Sequence, residues 1–321
     1  MPGFRPVATP DTDPRIHRLG GISGMSKVIL RPDRDYRAFI PKAEYQNLGG
    51  FDRMDCVTRS AWDVIETLLK VKFGITMNFS DRFTAKMSGT TATGNDFYSV
   101  AQSIRSLHGG VPEEKWPDTT VSFAEYYKAV AAEVVALGKE LLPSWEISFE
   151  AVWDTIDGLW EALQYGPLQV GLFAYPAEVN GIVPRSELQG NHAVELMHAE
   201  YGQYWEILDH YPKETRKLAW DTRFWGAIRF DINKKIPKPP VMYAFKEDTM
   251  YFVAEGKGEE FAFIAGKLRH DDPNKMARQV AYRTKGATIG RFETISLKEL
   301  EGVTAYDLKG NDVGLAKTIA A

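Results

Sequence analysis

The sequence predicts an α+β protein in which helices come first, antiparallel strands follow, and a small strand-rich domain lies in the C-terminal part. Three observations predict this fold class. Apolar residues recur with helical spacing in several stretches between Asp55 and Gln164. From Leu168 to Asp231 they alternate with polar residues or form short apolar runs bounded by turn residues. The regular strand and helix alternation of a doubly wound sheet is not seen.

Composition excludes several classes of protein. The chain has 321 residues, of which 44% are hydrophobic and 26% charged, and this balance allows a large buried core. A net charge of -4 lacks the basic field that nucleic-acid binding requires, so we expect no nucleic-acid partner. No stretch approaches the roughly 18 apolar residues of a membrane span, and the N-terminal residues do not resemble a signal peptide. We therefore expect neither a membrane span nor a signal peptide.

The length favours one main domain with a smaller appendage. Residues 1–40 are rich in proline at their start and show no sustained period, which predicts an extended arm. The basic, proline-rich stretch Asn233–Pro240 predicts a stiff linker. The main domain is then residues 41–232, and residues 241–321 form a small α+β or β accessory domain. Arm and accessory domain are candidate surfaces for an assembly partner, although the arm could equally lie over its own domain.

The elements follow from the periodicity. The first helix begins after Asp55, a plausible N-cap, and places Val57, Ala61 and Val64 on one face. Further helices are predicted at Phe97–Leu107, Phe123–Leu141 and Glu150–Gln164. Strands are predicted at Leu168–Tyr175, Ala193–Ala199, Tyr204–Leu208 and Phe224–Asp231, and beyond the linker at Val241–Phe245, Met250–Ala254 and Glu260–Ile264. A short helix is predicted near Asn274–Ala281.

Cys56 is the only cysteine, which excludes an intramolecular disulfide and a metal site with several thiolates. It lies in the first turn of the first predicted helix. Unpaired backbone N–H groups and the helix dipole favour a thiolate there, so Cys56 is a candidate nucleophile. A buried, inert cysteine is the alternative interpretation.

Two predicted strands, joined by a tight turn at Tyr201 and Gly202, supply partners for the thiol. Folding them together brings Asp209 within a residue or two of the position opposite His192. A carboxylate there can orient the imidazole and leave its other nitrogen for a thiol. Cys56, His192 and Asp209 are therefore predicted as nucleophile, base and orienting acid. A strand histidine bonded to backbone is the alternative for His192.

A metal site is a weaker interpretation of the histidines. His192 and His198 are separated by about 20 Å along a strand, too far to share an ion. The sequence predicts no metal and no cofactor.

These features resemble the papain-like cysteine peptidases. In that family the cysteine opens a helix of the left-hand subdomain, and the histidine lies on a strand of the right-hand one. His192 follows Cys56 by 136 residues, within the separation of about 130 to 150 that papain and the cathepsins show. Three further segments are similar to the family's: Ser80–Phe83, Gly109–Pro117 and Tyr165–Val170.

The resemblance covers residues 41 to 232 and is fullest to papain-like proteins of tailed-bacteriophage genomes. It implies a papain-like fold of two subdomains, helical on the left and antiparallel on the right, with a cytoplasmic or virion-associated location. The implied activity is hydrolysis of peptide bonds in a protein or peptide substrate, through a thioester acyl-enzyme. Two alternatives stay open: a weak or inactive papain-fold structural or interaction protein, such as a virion component, and a related thiol acyl transferase.

The chain departs from the family pattern near the site. Val57 replaces an aromatic residue, Gly50 replaces a glutamine, and Asp209-His210-Tyr211 replaces Asn-Ser-Trp. Gln46 then becomes the candidate side-chain donor to an oxyanion, with the backbone N–H of Cys56 as the second donor. A surface glutamine is the alternative. Gly94 and Asn95 lie where the family's cleft wall would run.

Overall fold

The computed structural model describes residues 3–5, 25, 27–42, 44–120 and 122–234, and the backbone of six strands beyond residue 241. The chain divides into two compact units, Met1–Lys235 and Ile236–Ala321. The division lies inside the stretch predicted as a linker. Residues 6–24 of the predicted arm, residues 235–240 of that linker and the predicted helix near Asn274–Ala281 lie outside the described residues.

Six α-helices occur in the described part of the first unit: α1 (Cys56–Phe73), α2 (Asp81–Met87), α3 (Phe97–Gln102), α4 (Phe123–Tyr126), α5 (Ala132–Ser144) and α6 (Ile156–Ala162). α1 begins where it was predicted to begin. It ends at Gly74, whose φ of 66° allows its N–H to bond the carbonyls of Leu69 and Lys70. Ser80 caps α2 by accepting the N–H of Phe83.

The first unit also contains a seven-stranded sheet: β1 (Trp145–Val152), β2 (Leu168–Leu172), β3 (Ile182–Val183), β4 (His192–Glu200), β5 (Tyr204–Leu208), β6 (Thr215–Ala219) and β7 (Ala227–Lys234). Its strand order is β1-β7-β2-β4-β5-β6-β3. All neighbours pair antiparallel except β3 and β6, which are parallel. Helices followed by an antiparallel sheet confirm the α+β prediction.

Two predicted helices were partly wrong. The one predicted from Glu150 begins only at Ile156, because Glu150 belongs to β1, where its buried carboxylate accepts two N–H groups of Arg229 on β7. The helix predicted over Phe123–Leu141 is broken between Tyr126 and Ala132. Strands β1, β3 and β6 of this sheet were not predicted.

α1 packs against β4, β7 and β2 and joins two clusters of buried side chains. The first cluster surrounds α1, where Trp62 stacks on Phe79 with ring centroids 4.2 Å apart. The second cluster lies on the sheet, where Trp205 stacks on Trp220 with ring centroids 4.4 Å apart. The N-terminus of α1 therefore lies beside the start of β4, where Cys56 and His192 are found.

Residues 27–42 of the predicted arm pack on their own unit. Tyr36 is fully buried, and its N–H bonds the carbonyl of Met197 on β4. The Arg34 guanidinium lies 4.0 Å from the centroid of the Trp160 ring. This part of the arm thus covers the sheet.

The second unit contains a six-stranded sheet among its described residues: β8 (Met242–Phe245), β9 (Met250–Glu255), β10 (Glu259–Ile264), β11 (Lys267–Asp271), β12 (Thr304–Tyr306) and β13 (Asp312–Leu315). The first four strands form an antiparallel meander, whereas β11 and β12 pair in parallel. β8, β9 and β10 match the three strands predicted after the linker.

Candidate active site

Cys56 is the first residue of α1, and buried charges hold the chain around it. Asp55 occupies the N-cap position, but its side chain caps no backbone N–H. The carboxylate instead accepts the Nε–H of Arg59 at 3.0 Å and the hydroxyl of Tyr126. Instead of capping the helix as predicted, the Asp55 side chain bonds Arg59, one turn further along α1.

Arg59 fixes the first turn of α1 to several loops. Its guanidinium is buried and contacts Asp55, Asp81 and Asp118 at 3.0 to 3.3 Å. Burial alone would lower the pKa of Arg59, but the charges of Asp55 and Asp81 outweigh it and raise the pKa well above its usual value. The guanidinium is thus a permanent cation in the first turn of the helix that Cys56 begins.

His192 is the first residue of β4, and its Nε2–H donates to Oδ1 of Asp209 at 2.8 Å. The pairing of β4 with β5 places Leu208 opposite Glu195, so Asp209 continues β5 toward His192. The turn follows Glu200, as the sequence predicted. Because Nε2 serves Asp209, Nδ1 is the nitrogen left for Cys56, which lies near enough to raise the pKa of the imidazole.

The charges of this pair stabilise each other. Burial lowers the pKa of His192, but the hydrogen bond to Asp209 and the nearby Cys56 outweigh it and raise the pKa to about 10. Burial raises the pKa of Asp209, but the bonds to His192 and Arg216 outweigh it and lower the pKa to about 2. Imidazolium and carboxylate are both favoured at neutral pH.

Arg216 on β6 was not found by sequence analysis. Its Nε–H donates to Oδ2 of Asp209 at 2.9 Å, and its other nitrogens reach Glu178 and the carbonyl of Pro212. The guanidinium also lies 4.5 Å from the centroid of the Tyr175 ring. No sequence signal pointed to it, because an isolated arginine on an unpredicted strand is usually a surface residue.

Gln169 on β2 supports the first turn of α1. Its amide Nε2–H groups donate to the carbonyl of Val57 at 2.6 Å and to the hydroxyl of Ser60 at 2.8 Å. That hydroxyl donates in turn to the carbonyl of Cys56 at 2.7 Å. A side chain from the sheet therefore fixes the backbone that carries Cys56.

Gln46 lines the same pocket as His192, a cleft of about 270 Å³ that Tyr175, Asn191, Tyr211 and Arg216 also line. The glutamine is buried, which excludes the surface interpretation. Its Nε2–H groups donate to Oδ1 of Asp52 at 2.9 Å and to the Tyr211 hydroxyl at 2.7 Å. Both donors are engaged, so binding an oxyanion requires one of these bonds to be exchanged.

Gly94 and Asn95 lie across from Asn191, on the other side of residues 3–5. Gly94 has a φ of 81°, and the buried Asn95 amide donates to Ser88 and Thr90. The backbone N–H and carbonyl of Asn95 both bond residues 3–5, which lie between this wall and Asn191. Cys56 beneath them is fully buried.

His210 lies behind the site, with Nε2 3.2 Å from Oδ2 of Asp63 in α1. Burial and the charge of Arg59 lower the pKa of His210 to about 3. Burial and the neighbouring Glu195 raise the pKa of Asp63 well above its usual value. Burial therefore favours the neutral form of both groups in this contact.

The described residues contain no group of three or more His, Cys, Asp or Glu side chains arranged to hold a metal ion. None of the helices described is both long and apolar enough to cross a membrane.

Comparison with known proteins found no matching family model and no matching curated relative. Among solved structures, the chain is similar to the bromelain protease from Ananas comosus, with 17% identity, 60% of this chain and 95% of that chain covered, and a TM-score of 0.47. It is also similar to the ragweed cysteine protease Amb a 11 in its proform, with 16% identity and a TM-score of 0.47. That match covers 66% of this chain and 69% of the other.

A third similar structure is the digestive procathepsin L 3 of Tenebrio molitor larval midgut, with 14% identity and a TM-score of 0.46. That match covers 67% of this chain and 73% of the other. All three are papain-like cysteine proteases, and the similarity concerns the arrangement of the chain. The resemblance to tailed-bacteriophage proteins stays a prediction. The chemistry has to be argued from the side chains described above.

Proposed function

We propose that the protein is a cysteine peptidase in which Cys56 is the nucleophile, His192 the acid and base, and Asp209 the orienting acid. One observation carries this proposal: the His192 imidazole bonds Asp209 through Nε2, and Cys56 lies near enough to raise the pKa of that imidazole together with Asp209. That arrangement supports a thiolate and imidazolium pair, the reactive form of a thiol catalyst.

In the first half-reaction the Cys56 thiolate attacks the carbonyl carbon of a peptide bond. The carbonyl π electrons move to oxygen, and a tetrahedral intermediate forms. When the C–N bond breaks, the leaving amine takes the Nδ1 proton of His192, and a thioester to Cys56 remains. The Nε2–H bond to Asp209 holds the imidazole in place during this transfer.

In the second half-reaction water attacks the thioester carbonyl. Neutral His192 accepts a proton from that water, the C–S bond breaks, and the product acid leaves with the thiolate and imidazolium pair restored. The backbone N–H of Cys56 is a donor to the oxyanion, because first-turn N–H groups have no partner within a helix. Gln46 is proposed as the second donor.

Replacing Cys56 by alanine tests the proposal. We expect cleavage of a denatured protein substrate to disappear while the circular dichroism spectrum is retained. Lys70→Ala is a control in the same helix, because Lys70 lies in the last turn of α1, away from the thiol. Cleavage by purified Cys56→Ala protein contradicts the assignment of the nucleophile.

A further inference from the structure

The Gln46 amide belongs to a closed ring of three hydrogen bonds. Its Nε2–H groups donate to Oδ1 of Asp52 at 2.9 Å and to the hydroxyl of Tyr211 at 2.7 Å. That hydroxyl donates its own proton to Oδ2 of Asp52 at 2.7 Å. Asp52 accepts a bond from each of the other two members, so its carboxylate determines how the ring is oriented.

Backbone bonds fix the main chain of Gln46. Its N–H donates to the carbonyl of His210, the residue after Asp209, at 3.0 Å. Its carbonyl accepts the backbone N–H of Arg53 at 3.0 Å and a guanidinium N–H of the same residue at 3.1 Å. The main chain is therefore held, and the rotation of the side chain decides where the amide points.

Asp52 is itself held by the loop before α1. Its Oδ1 accepts the N–H of Met54 at 2.8 Å, a bond between residues two apart that closes a turn. Met54 has a φ of 59°, an uncommon value for a residue other than glycine, which persists only where surrounding bonds hold it. A rotated Gln46 amide would place its Oε1 against the fixed Asp52 carboxylate, and two acceptors repel each other. Asp52 therefore selects the amide orientation that presents Nε2.

The two bonds of the amide differ in strength. The bond to Asp52 is made to a carboxylate, and a hydrogen bond to a charged group is stronger than one to a neutral group. Burial and the bond to Asp52 raise the pKa of Tyr211, which keeps its hydroxyl neutral. The bond between Nε2 and this hydroxyl is therefore the weaker of the two and the easier to exchange for a bond to an oxyanion.

We propose that Asp52 is a positioning residue for the reaction: it holds one N–H of the Gln46 amide, so that the other can leave Tyr211 and bind the oxyanion. This inference rests on the proposed function and adds to it a residue that acts through Gln46. The oxyanion forms only when the carbonyl is attacked, so the contribution of Asp52 belongs to the transition state. Its loss should therefore lower kcat and leave KM nearly unchanged.

Kinetics with a fluorogenic peptide test this role. In Asp52→Ala we expect kcat to fall by about tenfold to a hundredfold and KM to change by less than about twofold. Asp52→Asn keeps an oxygen that can accept from both Gln46 and Met54, so its kcat should lie within about fivefold of the wild-type value. Alkylation of Cys56 by iodoacetamide, followed by mass spectrometry, should be no slower in either variant, because the thiolate does not depend on the Gln46 amide.

Tyr211→Phe tests which bond is exchanged. It keeps the ring beside His192, where the ring centroids are 5.0 Å apart, but removes the hydroxyl that competes for the amide. We expect kcat to rise by about twofold to fivefold. Asp33→Ala is the matched control for Asp52→Ala, and it should leave kcat unchanged. Asp33 also accepts the N–H of a residue two further along, Asp35, but in an exposed turn of the arm.

Three results overturn the proposal: a kcat of Asp52→Ala equal to that of the wild type, an equal loss in Asp52→Ala and Asp52→Asn, or a kcat of Tyr211→Phe at or below the wild-type value. If the alanine variant does not unfold cooperatively in urea, Asp52→Glu replaces it. The glutamate keeps the charge but displaces the carboxylate by one methylene, so it should lose kcat as alanine does, and wild-type kcat in this variant overturns the proposal. Absence of turnover in the wild type, with Cys56 still alkylated, removes the proposed peptidase and this inference with it.

Discussion

Asp209 gives its two carboxylate oxygens to two different cations. Oδ1 accepts from His192 and Oδ2 accepts from Arg216. An asparagine could still accept the imidazole N–H through its oxygen, but its NH₂ group would then face the N–H of Arg216. The acid in this chain is therefore matched to an arginine neighbour, which gives a physical reason for aspartate at this position.

This arrangement predicts the order of two substitutions. His192→Ala removes the proposed acid and base, so we expect kcat/KM to fall by about 10³-fold or more. Asp209→Asn keeps an acceptor for the imidazole, and we expect a smaller fall, by about tenfold to a hundredfold. Both rates are measured with the same fluorogenic peptide. Equal losses would assign Asp209 a role other than orientation.

Arg216 is predicted to be a positioning residue. Arg216→Gln removes one of the groups that lower the pKa of Asp209, so this pKa rises from about 2. Ionised Asp209 stabilises the folded protein, and this stabilisation is complete above the unfolded pKa of the group, near 3.8. It is lost as the pH falls through the pKa of Asp209 in the folded protein. The variant should therefore lose activity at a higher pH on the acid side, with kcat/KM at neutral pH about tenfold lower.

Arg223→Gln is the control, because Arg223 pairs with the exposed Glu187 away from the triad. A uniform loss of activity in Arg216→Gln, with an unchanged pH profile, would indicate a role in folding only.

At the scale of elements, local patterns were predictable and long-range partners were not. The β4 and β5 hairpin was predicted because its turn and alternation lie within one short stretch. β1 was missed in the segment around Glu150, although Ile147, Phe149 and Ala151 alternate, because its partner β7 lies about 80 residues away along the chain. The same limit explains Arg216, whose place beside Asp209 depends on the pairing of β5 with β6.

β4 carries a buried acid that predicts a dependence of stability on pH. Glu195 is fully buried, and burial raises its pKa from 4.5 to about 8. The folded protein favours the neutral form of Glu195. The stability that this preference contributes is complete below pH 4.5 and is lost as the pH rises through 8.

Glu195→Gln keeps the shape but cannot ionise. We expect its free energy of unfolding at pH 8 to exceed that of the wild type by about 1 to 3 kcal/mol, with little difference at pH 4.5. Urea titrations at the two pH values measure this. Glu200→Gln, on the exposed end of the same strand, should show no such pH-dependent difference. The prediction fails if the two variants behave alike.

At the scale of the whole chain, the structure changes the boundaries that the sequence suggested for the main domain. The predicted domain began at residue 41, but Tyr36 is buried in the sheet's cluster and Phe4 in the cluster around α1. The predicted end at residue 232 falls within β7, whose Lys234 still pairs with Trp145 of β1. The first error arises because extended segments without periodicity carry no sequence signal for the surface they pack on, and the second because the strand predicted to end at Asp231 continues to Lys234.

Limited trypsin digestion tests whether the two units fold separately. Pro237, Pro239 and Pro240 disfavour helix and sheet pairing just after the first unit, so we expect early cleavage at Lys235. The product should be a stable fragment of residues 1–235 that keeps the alkylation rate of Cys56, because every described partner of the site lies within it. The double variant Lys234→Gln and Lys235→Gln removes the cleavage site and should yield no such fragment. Differential scanning calorimetry of the intact chain should show two transitions, one at the midpoint of the fragment; a single transition with no protected fragment would show one cooperative domain.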